Sequence, residues 1–304
     1  MAVAHALEIE TDPGLEPQRW QTALRRAVSG LVILILLGAL WEGYKALGAA
    51  TLGKIPLTTI DLPVRPDDKS MPHLWTIIGA LFQPARRGGE ETLLVIIARA
   101  ALFTWREAGV GFVVGSGVGF ALGALLGRFL WLERSLMPYL VASQTVPLLA
   151  IAPMIVIWGG QLNWPAWGSV TLISAYLTFF PVTINTLRGL RSPNPTAVEL
   201  MRSYAASEMQ ILWKLRLPAA LPYIFTALKI SAPASVIGAI VGELPSGIAD
   251  GLGRVLLTFS YFYISGPEKL YAAILGAAGL GIVFTVLVVG LERWVVPPER
   301  RLAE

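Results

Sequence analysis

An all-α membrane protein with about six transmembrane helices and both ends in the cytoplasm is the fold class this sequence predicts. Three observations predict it. Of 304 residues, 55% are hydrophobic and only 14% are charged, where an average soluble domain is about 25% charged. Mean hydropathy is +0.63. Several charge-free windows approach the roughly 20 residues that a helix needs to cross a bilayer. A soluble core of this length would not hide so much apolar surface, so lipid is the natural solvent.

The elements follow in order. Residues 1–26 read as a cytoplasmic tail, because Glu8, Glu10, Asp12 and Glu16 are not the basic start of a cleaved signal peptide. Arg25 and Arg26 precede an apolar first span at 27–48. Residues 49–91 form an outer connection with a short amphipathic helix near Met71–Phe82, bounded by Pro72 and Pro84. A five-helix core occupies 92–291. Its first span is Ala108–Gly127, with the apolar run Leu93–Trp105 either extending it outward or lying along the membrane surface. Residues 135–187 hold no Asp, Glu, Lys or Arg; the turn-forming stretch Gly159–Pro165 splits them into spans near Tyr139–Trp158 and Val170–Leu187. Leu221–Gly242, with Lys229, and Leu270–Leu291 complete the six, and 292–304 is a second cytoplasmic tail.

The positive-inside rule supports this arrangement. The inner segments 1–26, 128–138, 188–220 and 292–304 gather most of the arginines, whereas the outer loops 159–169 and 243–269 hold only Arg254 and Lys269. The connection 48–107 fits less cleanly, with Arg86, Arg87, Arg99 and Arg106. The net charge of +4 is therefore a topology signal, and no nucleic-acid partner is needed. There is no cysteine, and the two histidines, His5 and His73, lie far apart, so no metal site and no thiol chemistry are expected. No catalytic residue is expected either: the spans carry no His, Cys or Asp for an intramembrane enzyme.

Gly111, Gly115, Gly119, Gly123 and Gly127 recur every four residues, nearly on one helix face. Such ladders let a second helix approach closely, either within the subunit or at a moving dimer contact. Polar residues at membrane depth usually face the protein interior. Gln144, Thr145, Asn185, Lys229 and Glu243 are the candidates, each as helix glue, as an interfacial anchor or in a translocation pathway. Gln144, Thr145 and Glu243 are the ones offered for the pathway, and Asn185 and Lys229, nearer the cytoplasmic side, also fit as side chains that snorkel.

The segment 188–220 is long for a loop without a task. Ser192-Pro193-Asn194-Pro195-Thr196 reads as a helix start, with Glu199 in the first turn, and Glu199–Trp213 has no helix breaker. A surface helix presented to a cytoplasmic partner is expected there.

This segment resembles the signature of permease subunits of binding-protein-dependent ABC importers: Glu-Ala-Ala, three residues, Gly, nine residues, Ile, one residue, Leu-Pro. Glu199 matches the acid, Leu200 and Met201 replace the alanines, Ala205 stands for the glycine and Leu215 for the isoleucine, and Leu217-Pro218 match outright. Gln144-Thr-Val-Pro147, Ala150-Ile-Ala-Pro153, Ile157-Trp158-Gly159, Gly242-Glu243 and Gly251-Leu252-Gly253 are similar to the subgroup importing nitrate, sulfonates, taurine, bicarbonate and pyrimidine precursors.

The resemblance implies a type I importer permease fold in the bacterial inner membrane. It implies a chain without cofactor of its own, working with cytoplasmic ATPase subunits that bind ATP and Mg, a soluble extracytoplasmic binding protein, and a second permease copy or a paired permease. ATPase coupling would fall to Glu199, Tyr204, Ala205, Ala206, Ser207, Leu215, Leu217 and Pro218. The solute would be a small anion or a pyrimidine- or riboflavin-type heteroaromatic. No Gly-x-x-x-x-Gly-Lys-Ser/Thr phosphate loop occurs in the chain. The alternative is a secondary transporter driven by an ion gradient, a class that often shows internal repeats and buried carboxylates.

Overall fold

A computed structural model describes residues 19–51, 53–54, 61–85 and 88–297. Glu8, Glu10, Asp12, Glu16, His5, Arg86 and Arg87, used above, lie outside the described residues. The chain divides into two units, Met1–Trp75 and Thr76–Glu304.

In the first unit, α1 (Arg19–Ala50) exposes an apolar surface from Leu24 through Leu40. Its later turns are held by the segment that returns along it. Lys45 pairs with Asp68, Trp41 Nε1 donates to the Pro72 carbonyl at 3.1 Å, and Glu42 accepts from the Leu74 amide at 2.9 Å. The short helix expected near 71–82 is α2 (Leu74–Leu81), which starts just past Pro72.

The second unit is built on four long helices. α3 is Leu93–Arg128; α4 (Leu130–Ser143) and α5 (Leu148–Gln161) follow; α6 is Ala166–Leu190. The short helices α7 (Pro195–Ser203) and α8 (Glu208–Ile211) lead through a π-helical turn, Leu212–Arg216, into α9 (Leu217–Ser246). α10 (Leu252–Tyr261) and α11 (Pro267–Val295) close the chain. Among the described residues, and counting α1, five helices are long and apolar enough to cross a membrane, and six spans result if the α4–α5 pair is one span.

α3, α6 and α9 form the core, and small residues make it possible. A Cβ on Gly115 would stand 2.5 Å from the Ala175 carbonyl oxygen, and one on Gly119 equally close to that of Phe179. Gly111 and Gly123 lie against Thr171 and Thr183 in the same way, while Gly127 meets Leu190 at an ordinary 3.6 Å. The ladder therefore packs α3 onto α6 within one subunit. Across α6, Ser174 Oγ donates to the Ser235 carbonyl at 2.9 Å, which bonds α9 in a region where lipid supplies no hydrophobic force between helices. α11 adds Phe284, with ring centroids 5.4 Å from Trp105 and 5.2 Å from Phe112.

One open choice is settled and two expectations are corrected. α3 begins at Leu93, so the run Leu93–Trp105 extends the span outward from Ala108. Of the charges that ended the apolar window, Arg99 pairs with Glu91 at 2.6 Å and Arg106 stacks over Trp167 at 5.1 Å, while Glu107 is simply buried. The run Leu93–Trp105 contains neither Gly nor Pro, so nothing stops the helix. The expected single span Tyr139–Trp158 is two helices bent by 97°. Pro147 disfavours helical geometry at the residue before it and offers no N–H, so α4 ends at Ser143 and α5 starts after the proline. The outer loop 243–269, expected only as a loop, contains α10.

Candidate functional site

The loop leaving α6 is built from local caps. Arg191 is the C-cap of α6, and Ser192 Oγ donates to the Gly189 carbonyl at 2.8 Å. Asn194 Oδ1 accepts from the Thr196 amide at 3.0 Å with Pro195 at the first helical position, the arrangement that favours a helix start. Glu199 therefore falls beyond the first turn of α7, one turn later than expected, and does not cap it. It lines a groove of about 310 Å³ with Arg191, Val198, Arg202 and Arg216.

The unbroken helix expected over Glu199–Trp213 is also corrected. α7 stops at Ser203 in a Schellman turn: the Ala206 amide donates to the Met201 carbonyl at 3.0 Å and the Ala205 amide to that of Arg202 at 2.9 Å. Ala205 takes φ +55°, in the left-handed region where glycine is usual. The position of the signature glycine is thus a helix C′ position, and alanine occupies it under strain.

Ser207 then starts α8 through a capping box. Its Oγ accepts from the Gln210 amide at 3.3 Å, while its own amide donates to Gln210 Oε1 at 2.8 Å. Ser207-x-x-Gln210 is the sequence signal that locates this second helix. Ile211 is completely buried and pins the loop. Around it Leu200, Tyr204, Met209 and Trp213 stand in the open, Tyr204 at 80% exposure. Leu215, Leu217 and Pro218 are half-buried at the entry to α9.

Glu208, not singled out from sequence, accepts from Arg202 at 2.9 Å and faces Arg128, on the last turn of α3, at 3.5 Å. The hydrogen bond from Arg202 holds its carboxyl below the usual 4.5.

The expected pathway residues are not brought together. Gln144 and Thr145 sit exposed at the α4–α5 bend, where Thr145 Oγ1 donates to the Ala142 carbonyl at 2.7 Å. Glu243 is fully buried at the far end of α9. It accepts from Thr104 Oγ1 at 2.6 Å and from the Gly253 amide at 2.5 Å, while the Leu252 amide donates to Thr104 Oγ1 at 2.9 Å. This network fastens the start of α10 to α3 and α9, so Glu243 is a fastening inside the subunit. Glu107, just before the window expected from sequence, is its buried electrostatic neighbour. Asn185 Nδ2 donates to the Pro181 carbonyl at 2.9 Å, and Lys229 pairs with Glu292 of α11 at 3.1 Å.

The family described as the binding-protein-dependent transport system inner membrane component matches residues 115–298. The chain belongs to this family. It is a permease component of an ABC importer, a multi-pass protein of the inner membrane. The permease is 35% identical to the formylaminopyrimidine transport permease protein of Halalkalibacterium halodurans, over 66% of its own length and 80% of that protein's. It is 30% identical to a Bacillus subtilis protein named as a transport permease for aliphatic sulfonates, over 95% and 91% of the two chains. The fold is shared with an importer of the acidic polysaccharide alginate (TM-score 0.55, 15% identity, 91% and 99% coverage). It is also shared with an inward-facing methionine ABC transporter (TM-score 0.51, 20% identity, 67% and 96% coverage).

Proposed function

We propose that this permease forms half of a solute pathway and is driven by a separate ATPase that docks on residues 188–220. The observation that carries this reading is the loop itself. Two capped helices, joined by a left-handed turn at Ala205, hold Leu200, Tyr204, Met209 and Trp213 out of the core. Large apolar side chains on a rigid surface mark a protein interface. The partner ATPase binds ATP and Mg, and its closure moves two such loops together, one from each of two permease copies or a permease pair. The spans then alternate between inward-open and outward-open states as rigid bodies. A soluble binding protein delivers the solute at the outer side.

A neutral heteroaromatic of the pyrimidine type suits the pathway better than an anion. Most of α4 and all of α5 belong to the charge-free stretch 135–187, so the bend offers dipolar Gln144 and Thr145 but no cation. The similarity to a formylaminopyrimidine permease points the same way.

The test is uptake by cells carrying the permease with its ATPase and binding protein. Labelled formylaminopyrimidine should accumulate in the presence of an uncoupler and stop on ATP depletion, and Ala205→Trp should abolish uptake while the protein stays inserted. Uptake that follows the ion gradient would favour a secondary transporter instead, and uptake of an alkanesulfonate alone would reassign the solute.

A further inference from the structure

α4 is anchored in an unusual way. None of its residues is buried within the subunit. Two polar ties join it to α6. At one end Glu133, in its first turn, meets the Arg191 guanidinium through both oxygens: Nη1 to Oε1 at 2.9 Å, and Nη2 to Oε2. At the other end the Tyr176 hydroxyl donates to the Ser143 carbonyl, the last residue before the bend at Gln144–Pro147. Glu133 is only 18% exposed. A forked, charge-assisted pair fixes orientation as well as distance, unlike a single-point surface ion pair.

Arg191 is also the hinge end of the loop. It is the C-cap of α6, three residues before the Asn194 cap of α7, and it lines the groove with Glu199 and Arg202. A rotation of α7 about residues 191–194 therefore acts on the guanidinium, and the fork passes that motion to the near end of α4. α4 has no residue buried within the subunit to hold it against that motion from inside, and its far end leads into the bend that carries Thr145.

We propose that Arg191 and Glu133 are positioning residues that transmit movement of the 188–220 loop to the α4–α5 bend. This rests on the reading that an ATPase docks on that loop. The chain has no cysteine, so Thr145→Cys gives a single reporter at the bend. The experiment uses the complete complex of permease, ATPase and binding protein in proteoliposomes. It measures the rate at which a maleimide labels Thr145→Cys, with and without ATP plus vanadate, alongside ATP hydrolysis.

In the otherwise unsubstituted chain the labelling rate should change severalfold with nucleotide. Glu133→Gln should bring that ratio close to one while hydrolysis continues, and Arg191→Lys, which keeps the charge but loses the fork, should lower the ratio in the same way. Glu133→Arg combined with Arg191→Glu should restore it. A nucleotide response in Glu133→Gln equal to that of the unsubstituted chain overturns the transmission role and leaves docking intact. Absence of ATPase binding and of any response in the unsubstituted chain removes the docking reading, and this proposal with it.

Discussion

Ala205 carries a structural cost at the position of the signature glycine. A left-handed alanine is about 1 kcal/mol worse than glycine at a helix C′ position, yet the Schellman bonds around it are complete. Ala205→Gly should therefore stabilise the turn by roughly that amount, read as slower amide exchange at Ala205 and Ala206. Faster exchange there would mean that the side chain contributes packing which outweighs its strain. The spacing of the signature marked this position from sequence, but not its conformation. Without the glycine, the segment reads as one uninterrupted helix.

At the scale of elements, two contrasts are testable. The Cβ of any residue at 115 would meet the Ala175 backbone, with the oxygen at 2.5 Å and Cα at 2.9 Å, whereas nothing lies within 4 Å of a Cβ at 117. Gly115→Val should lower the melting temperature in detergent, with a cost on the order of 3 kcal/mol. Gly117→Ala should be neutral or gain up to about 1 kcal/mol of helix propensity. The second contrast concerns α10. Glu243→Ala would leave the Thr104 hydroxyl and the Gly253 amide without their acceptor, at about 1–3 kcal/mol for each buried donor left unsatisfied. Limited proteolysis should then cut the α9–α10 link, with Glu243→Gln much milder; equal resistance in all three proteins would show that packing alone seats α10.

The period-four glycines were legible in the sequence because a helix repeats locally. The partner they touch was not, since the facing residues of α6 lie sixty positions further along, as with Gly115 and Ala175. The same distance problem hid Glu107. Its charge ended the apolar window, whereas in the fold it is buried beside Glu243.

For the whole molecule, the fold separates two ends of the second unit. Residues 188–220 present apolar side chains at one end of α6 and α9, and the Glu243–Thr104–α10 network closes the far end of α9. A single cysteine at Met209, exposed at 62%, should cross-link to the ATPase in the assembled importer. One at Gly117, on α3 and remote from that loop, should not. Equal cross-linking at both positions would remove residues 188–220 from the docking interface.

The sequence by itself determined the membrane class, the family and the spacing of its signature loop. Hydropathy, charge bias and motif spacing are local properties of a chain in lipid. Only the tertiary structure decided that the third expected span is bent at Pro147, that Ala205 is left-handed, that Glu243 fastens α10, and that Arg191 reaches Glu133. Each depends on which distant groups meet. A bilayer requires apolar length and satisfied backbone, but leaves open which polar side chains find each other between the helices.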